Sequence, residues 1–248
     1  MDKVLLVTGG SRGIGAATCL LAARQGWAVA VNYTANSLAA DEVVREIRAD
    51  GGQAMSVRAD VADEAQVMTM FERIDAKFGR LTGLVNNAGV VDVSARLDQM
   101  DMARWRRMFD INVLGSFLCA REAVRRMSTR HGGEGGAIVN VSSAAARLGS
   151  PREYVDYAAA KAAIDAFTIG LAKEVGGEGI RVNAVRPGLI ETDIHASGGL
   201  PDRVRDLQHQ VPMGRGGRAD EVAQAIVWLL SDAASYTTMA LLDVSGGR

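Results

Sequence analysis

The chain has 248 residues, 48% of them hydrophobic and 23% charged, with 28 Lys and Arg against 29 Asp and Glu. That balance supports a large buried core and excludes disorder, collagen-like structure and a small disulfide scaffold. A net charge of −1 offers no basic field to a phosphate backbone, which excludes nucleic acid as a main partner. The opening MDKVLLVTGG has neither a basic leader nor a long apolar run, and the longest apolar stretches, such as 225–230, are far too short to span a bilayer. No membrane association and no secretion are therefore expected.

Strands are predicted in chain order at Val4 to Thr8, Ala28 to Val31, Ala54 to Val57, Leu81 to Val85, Ala137 to Val141, Ile180 to Val185 and Leu241 to Val244. Between the third and fourth, Val67, Phe71, Ile74 and Phe78 recur at helical spacing behind Asp63-x-x-Gln66, the signature of a capping box. Phe109, Val113, Phe117, Ala120, Val124 and Met127 mark a second amphipathic helix, and Val222, Ile226 and Leu229 another. Strand and helix alternate throughout, which predicts parallel strands joined by right-handed crossovers. The expected fold is α/β: a Rossmann-like, doubly wound, seven-stranded, mostly parallel sheet with helices on both faces. No Pro- or Ser-rich linker interrupts it, and the Gly-rich stretch 131–136 precedes a strand that the same sheet needs, so residues 1–248 are expected to form one domain. Cys19 and Cys119 lie in helical segments a hundred residues apart and are read as buried small hydrophobes in a reducing cytoplasm. Two Asn-x-Ser/Thr matches, at Asn32 and Asn140, are set aside in a chain without a secretory leader.

The turn after the first strand reads Thr8-Gly9-Gly10-Ser11-Arg12-Gly13-Ile14-Gly15 and opens a helix. Free backbone N–H groups and the positive end of the helix dipole favour a phosphate there, and glycine lets a pyrophosphate reach the backbone. By itself such a glycine spacing is weak evidence; its place on the first strand-to-helix turn carries the claim. Tyr157 and Lys161 stand four apart in a helical stretch and share one face. With only 4 Tyr and 4 Lys in the chain, that spacing is expected by chance about 0.06 times, so it is more specific than the glycines. An ammonium about 6 Å from the phenol, at an effective dielectric of about 20, favours the phenolate by roughly 2.8 kcal/mol, or about two pK units. Tyr157 is thus expected to exchange a proton at physiological pH. Ser142 and Ser143 close the fifth predicted strand at the edge where open sheets bind ligands, though a serine pair at a strand end also serves as turn chemistry. Asn112 within its helical pattern either bends the helix or binds water.

Taken together, TGGSRGIG at 8–15, Asp60-Val61, Asn86-Asn87-Ala88-Gly89, Asn112, Ser143, Tyr157-x3-Lys161 and Pro187-Gly188-Leu189-Ile190-Glu191-Thr192 resemble the short-chain dehydrogenase/reductase family over essentially the whole chain. The resemblance implies Tyr157 as general acid/base and Lys161 as the group that lowers its pKa and bonds the nicotinamide ribose. It implies Ser143 as orienter of the substrate carbonyl and Asn112 as holder of a water in a proton relay to Lys161. It also implies that Gly9, Ser11, Arg12, Gly13, Ile14 and Gly15 hold the cofactor phosphates and that Asp60 and Val61 border the adenine. Asn87, Ala88 and Gly89 would line the cleft, and Pro187, Gly188, Ile190 and Thr192 would receive the nicotinamide. The second strand ends Val31-Asn32-Tyr33 with no carboxylate to accept a ribose 2′-OH, which favours NADP(H) over NAD(H). Arg12 either pairs with the 2′-phosphate or points to solvent, and Asn32, Asn36 or Ser37 are candidate donors to it.

The interval from Ser143 to Tyr157 is 14 residues, about one longer than usual in the family, which leaves Ser142 as the alternative hydroxyl. Thr237-Thr238-Met239-Ala240 stands where the family usually has a threonine-glycine turn. The segment 194–217 resembles a substrate lid, within which His195 and His209 are read as solvated; no histidine belongs to a metal motif. Arg104, Arg106, Arg107, Arg121, Arg125, Arg126 and Arg130 interleave with acids and are read as a solvated helix face. The expected function is a cytoplasmic NADP(H)-dependent carbonyl reductase or alcohol dehydrogenase acting on a small molecule. A 3-oxoacyl thioester and a sugar or polyol are alternative substrates, and a nucleotide-binding sensor without turnover is the alternative function. The resemblance also implies a homotetramer packed through the helices that hold Asn112 and Tyr157.

Overall fold

The computed structural model describes residues 3–192 and 198–248. His195 and the first residues of the expected lid lie outside them. Seven strands form one sheet in the order β3-β2-β1-β4-β5-β6-β7: β1 (Val4–Val7), β2 (Ala28–Tyr33), β3 (Ala54–Arg58), β4 (Gly83–Asn86), β5 (Gly136–Val141), β6 (Ile180–Pro187) and β7 (Leu241–Val244). All six pairings are parallel. Each predicted strand is present, with no end moved by more than two residues. The second and sixth run longer than their apolar cores, because Asn32 and Tyr33 still pair with Val57 and Arg58, and Arg186 and Pro187 with Asp243 and Val244. Polar residues continue a ladder whose hydrogen bonds are made by backbone alone.

Strand alternation sorts the core into two layers. Leu5 and Val7 point to the face covered by α1 (Gly13–Arg24), α2 (Ser37–Ala49) and α9 (Ala219–Leu230). Val4 and Leu6 point to the face covered by α3 (Glu64–Phe78), α5 (Gly115–Met127) and α7 (Val155–Val175). Phe71, Met70, Met127 and Ile138 are fully buried in the second layer and Val29 and Ile226 in the first. Cys19 and Cys119 are free, buried thiols within these layers. Burial pushes the Cys119 thiol up to about 12 and that of Cys19 higher still, so both are inert packing groups.

The cap of α3 differs from the expected box. Asp63 accepts from the Gln66 amide at 3.1 Å, but the Gln66 side-chain oxygen accepts from the N–H of Asp60, three residues before the cap, at 3.0 Å. The glutamine therefore ties the preceding turn to the helix. Around Asn112 the chain runs through α4 (Met102–Phe109), a π-helical turn (Asp110–Leu114) and α5. The asparagine does not break the helix; its widened turn lets the amide reach across the helix end. Two of the arginines expected to be solvated are structural: Arg104 bonds Asp156 at 2.7 Å with little exposure, and Arg126 bonds Asp75 at 2.8 Å above the ring of Phe71. Helix packing places acids of α7 and α3 opposite them, which the pattern of a single helix does not contain.

Met239 enters the last strand with φ 66°, a left-handed conformation that favours glycine, while its N–H donates to Val182 at 2.7 Å and its side chain is about half exposed. Met239→Gly is expected to stabilise the fold by about 0.5–1 kcal/mol, since relief of the Cβ clash exceeds the small packing lost. A urea midpoint that moved up would bear this out; one that fell would show that the methionine's contacts dominate.

Candidate active site

The chain leaves β1 toward β2 and β3 on one side and returns to start β4 on the other, so a crevice opens at the carboxyl edge between β1 and β4. A cavity of about 910 Å³ occupies this edge. Gly9, Ser11, Arg12, Gly13 and Ile14 form its floor. The amides of Gly13, Ile14 and Gly15 donate to no acceptor among the described residues, and no side chain caps the start of α1. Orphan N–H groups at the positive end of a helix dipole suit an anion, so this turn fits a dinucleotide's pyrophosphate. Gly15 does not line the cavity. A Cβ there would come within 2.3 Å of the Gly9 carbonyl, so this glycine lets α1 pack onto its own turn.

Tyr33, Asp60 and Val61 line the far end of the cavity, together with Thr34, Ala35 and Asn36. Asn32 is a correction: its side chain is buried and fully used, accepting from the Gly9 N–H at 3.1 Å and donating to Val57 and Ala59 at 3.3 and 3.0 Å. It braces the glycine turn and has no donor left for a 2′-phosphate. Asn36 accepts from the Ala39 N–H at 3.0 Å as the cap of α2 and lines the same end of the cavity. Arg12 is exposed at the cavity rim and its guanidinium makes no hydrogen bond or ion pair among the described residues.

Asn87, Ala88 and Gly89 line one wall, and Pro187, Gly188, Ile190 and Thr192 the other. Asn87 spans the crevice, donating to the carbonyls of Thr8 and Gly9 at 2.9 and 3.0 Å. Ser142, Ser143, Tyr157 and Lys161 converge on the same cavity from β5 and α7. The two serines are separated by their bonds. Ser142 is buried and donates to the Lys161 carbonyl at 3.1 Å, tying strand to helix, whereas Ser143 accepts from Ala145 N–H at 3.1 Å and turns its hydroxyl to Tyr157. The longer interval is absorbed by α6 (Ala145–Leu148) and a loop in which Ser150 and Arg152 have φ of 42° and 65°.

Lys161 is buried, lies 5.6 Å from the centre of the Tyr157 ring and donates to the Val141 carbonyl at 2.8 Å. Asn112 stands behind the wall, its amide holding both the N–H and the carbonyl of Val90, at 3.2 and 3.0 Å. Its side chain and the Lys161 ammonium flank Gly89. The electrostatics correct the sequence expectation. Burial pushes the Tyr157 phenol up to about 12, only partly countered by the Ser143 hydroxyl, and pushes Lys161 down to about 8 against the pull of Asp165. Desolvation outweighs the Ser143 hydrogen bond, so the phenol is held in its protonated form.

Sequence reasoning missed the groups that position α7 and line the substrate end. Asp156, next to Tyr157, is buried and takes a two-pronged bond from Arg104 at 2.7 and 3.2 Å. Tyr154, Glu153, Arg203 and Arg248 line the cavity beyond Tyr157. Arg203 falls within the segment read as a lid, but nothing in the spacing of these residues signals their convergence.

A family profile described as Enoyl-(Acyl carrier protein) reductase matches residues 9–248. The chain is 56% identical over 245 residues to an uncharacterized oxidoreductase, YgfF, of Escherichia coli (strain K12), covering 99% of each. It is 43% identical over 247 residues to the cis-4-hydroxycyclohexanecarboxylate dehydrogenase of Sinomonas cyclohexanicum, covering 99% of this chain and 96% of that one. Among solved structures, a short-chain type dehydrogenase/reductase from Mycobacterium marinum superposes with a TM-score of 0.93 at 35% identity, covering 99% of this chain and 94% of that one.

Removing Arg104 alone leaves the Asp156 carboxylate buried without its partner. Arg104→Leu is expected to cost about 3–5 kcal/mol. The double variant Arg104→Leu/Asp156→Leu should recover much of that loss in urea unfolding; equal losses in both would show that packing rather than charge is at stake.

Proposed function

The chain belongs to the short-chain dehydrogenase/reductase family and is an oxidoreductase acting on CH–OH and C=O groups, and from that premise we propose an NADP(H)-dependent interconversion of a small carbonyl compound and its secondary alcohol. The observation that carries this reading is the convergence of Ser143, Tyr157 and Lys161 on the same cavity as the orphan amides of the glycine turn. The nicotinamide supplies the hydride when bound. In reduction Tyr157 gives its proton to the carbonyl oxygen, and the Ser143 hydroxyl orients that oxygen and stabilises the growing negative charge. A phenol held protonated by burial suits this direction. Lys161, as ammonium, would hold the nicotinamide ribose, and its charge eases the loss of the phenol proton. Asn112 holds Val90 and so the Asn87–Gly89 wall, beside the ammonium.

Preference for NADP(H) rests on the second strand, which ends without a carboxylate, and on Arg12, whose guanidinium is unpaired among the described residues at the cavity rim. A homotetramer through the Asn112 and Tyr157 helices is supported by exposed apolar side chains there. Leu114 is 50% and Phe117 41% exposed, and Phe117 stacks on Phe167 of α7 at 4.0 Å. A cytoplasmic setting agrees with two free, buried cysteines, and no helix among the described residues is long and apolar enough to cross a membrane.

Tyr157→Phe is expected to bind NADPH normally and to lose at least 100-fold in kcat on any carbonyl that the wild type reduces; an unchanged rate would overturn the assignment. The sign of the pH dependence follows from the lysine. Its proton is held below pH about 8 and lost above, so kcat/KM for NADPH, which reports the free protein, should be flat below that value and fall above it. Oxidation needs the phenolate and should instead rise with pH. Fluorescence titration should give Arg12→Ser a weaker affinity for NADPH by about tenfold with little change for NADH, as expected for one lost charge-assisted contact.

A further inference from the structure

Four residues beyond Lys161, on the same face of α7, stands an acid, Asp165. Both side chains are buried. The sheet beneath brings their partners together as well. Lys161 donates to the Val141 carbonyl of β5, Val141 pairs in register with Val185 of β6, and the next residue, Arg186, holds Asp165. Ammonium and carboxylate are therefore neighbours, although no direct ion pair joins them among the described residues.

The bonding of Asp165 is lopsided. Arg186 donates through Nε and Nη2, at 3.0 and 2.8 Å, to the same oxygen, Oδ2, while Oδ1 is buried and accepts no hydrogen bond among the described residues. On the same helix Asp156 takes Arg104 across both of its oxygens, the geometry that best fastens one element to another. Arg186 is also divided, with Asp243 of β7 at 3.9 Å, and Asp243 is shared with Arg147 of α6 at 3.4 Å. A buried carboxylate oxygen without a donor is costly, and its field is weakly screened where water is excluded. That field opposes the burial that pushes Lys161 down to about 8.

Other charges around Lys161 are mostly committed elsewhere. Arg104 and Arg107 of α4 hold Asp156 and Asp92, and across the cavity Arg203 of α8 (Arg203–Leu207) holds Glu153. The π-helical turn carries Asp110, which makes no ion pair among the described residues. Tyr157 is a neutral neighbour, and β5 and the Asn87–Gly89 wall carry no ionisable side chain.

We propose that Asp165 is a positioning residue that acts on the reaction through Lys161: its buried carboxylate, steered and only partly neutralised by Arg186, is the counter-charge that keeps the ammonium in its working form. The inference deepens the proposed function and takes its catalytic meaning from that reading. It requires Asp165 and Arg186 to act on Lys161 with opposite signs. A tie that only fastened β6 to α7 would be broken alike by the loss of either partner.

The test is 13C NMR of the protein labelled at lysine Cε, where Lys161 is one of 4 lysines and is identified by the signal lost in Lys161→Arg. Its titration midpoint should fall by about one pH unit in Asp165→Asn, a tenfold weaker hold on the proton, and rise in Arg186→Gln. The double variant should lie between the two. If Asp165→Asn does not fold, a fall from Arg186→Gln to the double variant reads the same effect. Asp110→Asn should leave the midpoint in place. A midpoint unmoved by loss of Asp165, shifts of the same sign in both single variants, or an equal fall in Asp110→Asn would each overturn the inference. Rates separate it from the proposed function. The alkaline fall in kcat/KM for NADPH should follow the NMR midpoint from variant to variant; if the midpoint moves as expected and the rate profile does not, the role of Lys161 in the reaction fails while its control by Asp165 stands.

Discussion

Where β1 ends, Thr8 still donates its N–H to Val85 of β4 at 3.0 Å, but the Thr8 carbonyl and both backbone groups of Gly9 have no strand partner. Three side chains replace that ladder. Asn32 accepts from Gly9 N–H, and Asn87 donates to both the Thr8 and Gly9 carbonyls. The Thr8 hydroxyl accepts from the amides of Asn87 and Ala88, each at 3.0 Å. Buried backbone groups left unpaired would be costly, so this web is what permits a crevice at the switch point instead of a collapsed edge. Gly9 can then turn at φ 60° and leave the next amides free at the start of α1.

A second buried web fixes the other half of the site. Asn86 of β4 donates to Asn140 of β5 at 2.9 Å, and Asn140 donates to Thr168 of α7 at 2.9 Å. Ser142 bonds the Lys161 carbonyl, and Asp156 is held by Arg104. The helix that carries Tyr157 and Lys161 is therefore fastened at its start, middle and later turns to the sheet and to α4. Polar bonds of this kind have directional geometry, which apolar packing lacks, and they set the rotation of α7 about its axis. That rotation decides which side chains face the cavity. The cost appears in the titration behaviour, because the same close fastening desolvates the ammonium and the phenol.

Strand positions, the glycine turn and the four-residue spacing of Tyr157 and Lys161 were legible because each depends on a local rule: period two in strands, period near 3.6 in helices, and absence of Cβ at a turn. Parallel order followed from the alternation of elements. Asn32 was misread because its place at a strand end is also where a cofactor-binding side chain would sit, and only the positions of Gly9, Val57 and Ala59 commit its amide. The environment of the Tyr157 phenol is likewise absent from the spacing: a four-residue interval places the Lys161 charge, but packing of α7 on the sheet supplies the burial that dominates.

The sequence by itself determined the fold class, the edge of the sheet where chemistry gathers and the residues most able to perform it, since those follow from periodicity and residue chemistry within short windows. Tertiary structure decided which of two adjacent serines faces Tyr157, which arginines are buried against carboxylates, and that Glu153 and Arg203 meet at one end of the cavity. These are contacts between segments about 50 or more residues apart, or choices between neighbouring side chains made by such contacts. Their geometry comes from how helices settle on a twisted sheet, a property of the whole packed core that no local pattern encodes.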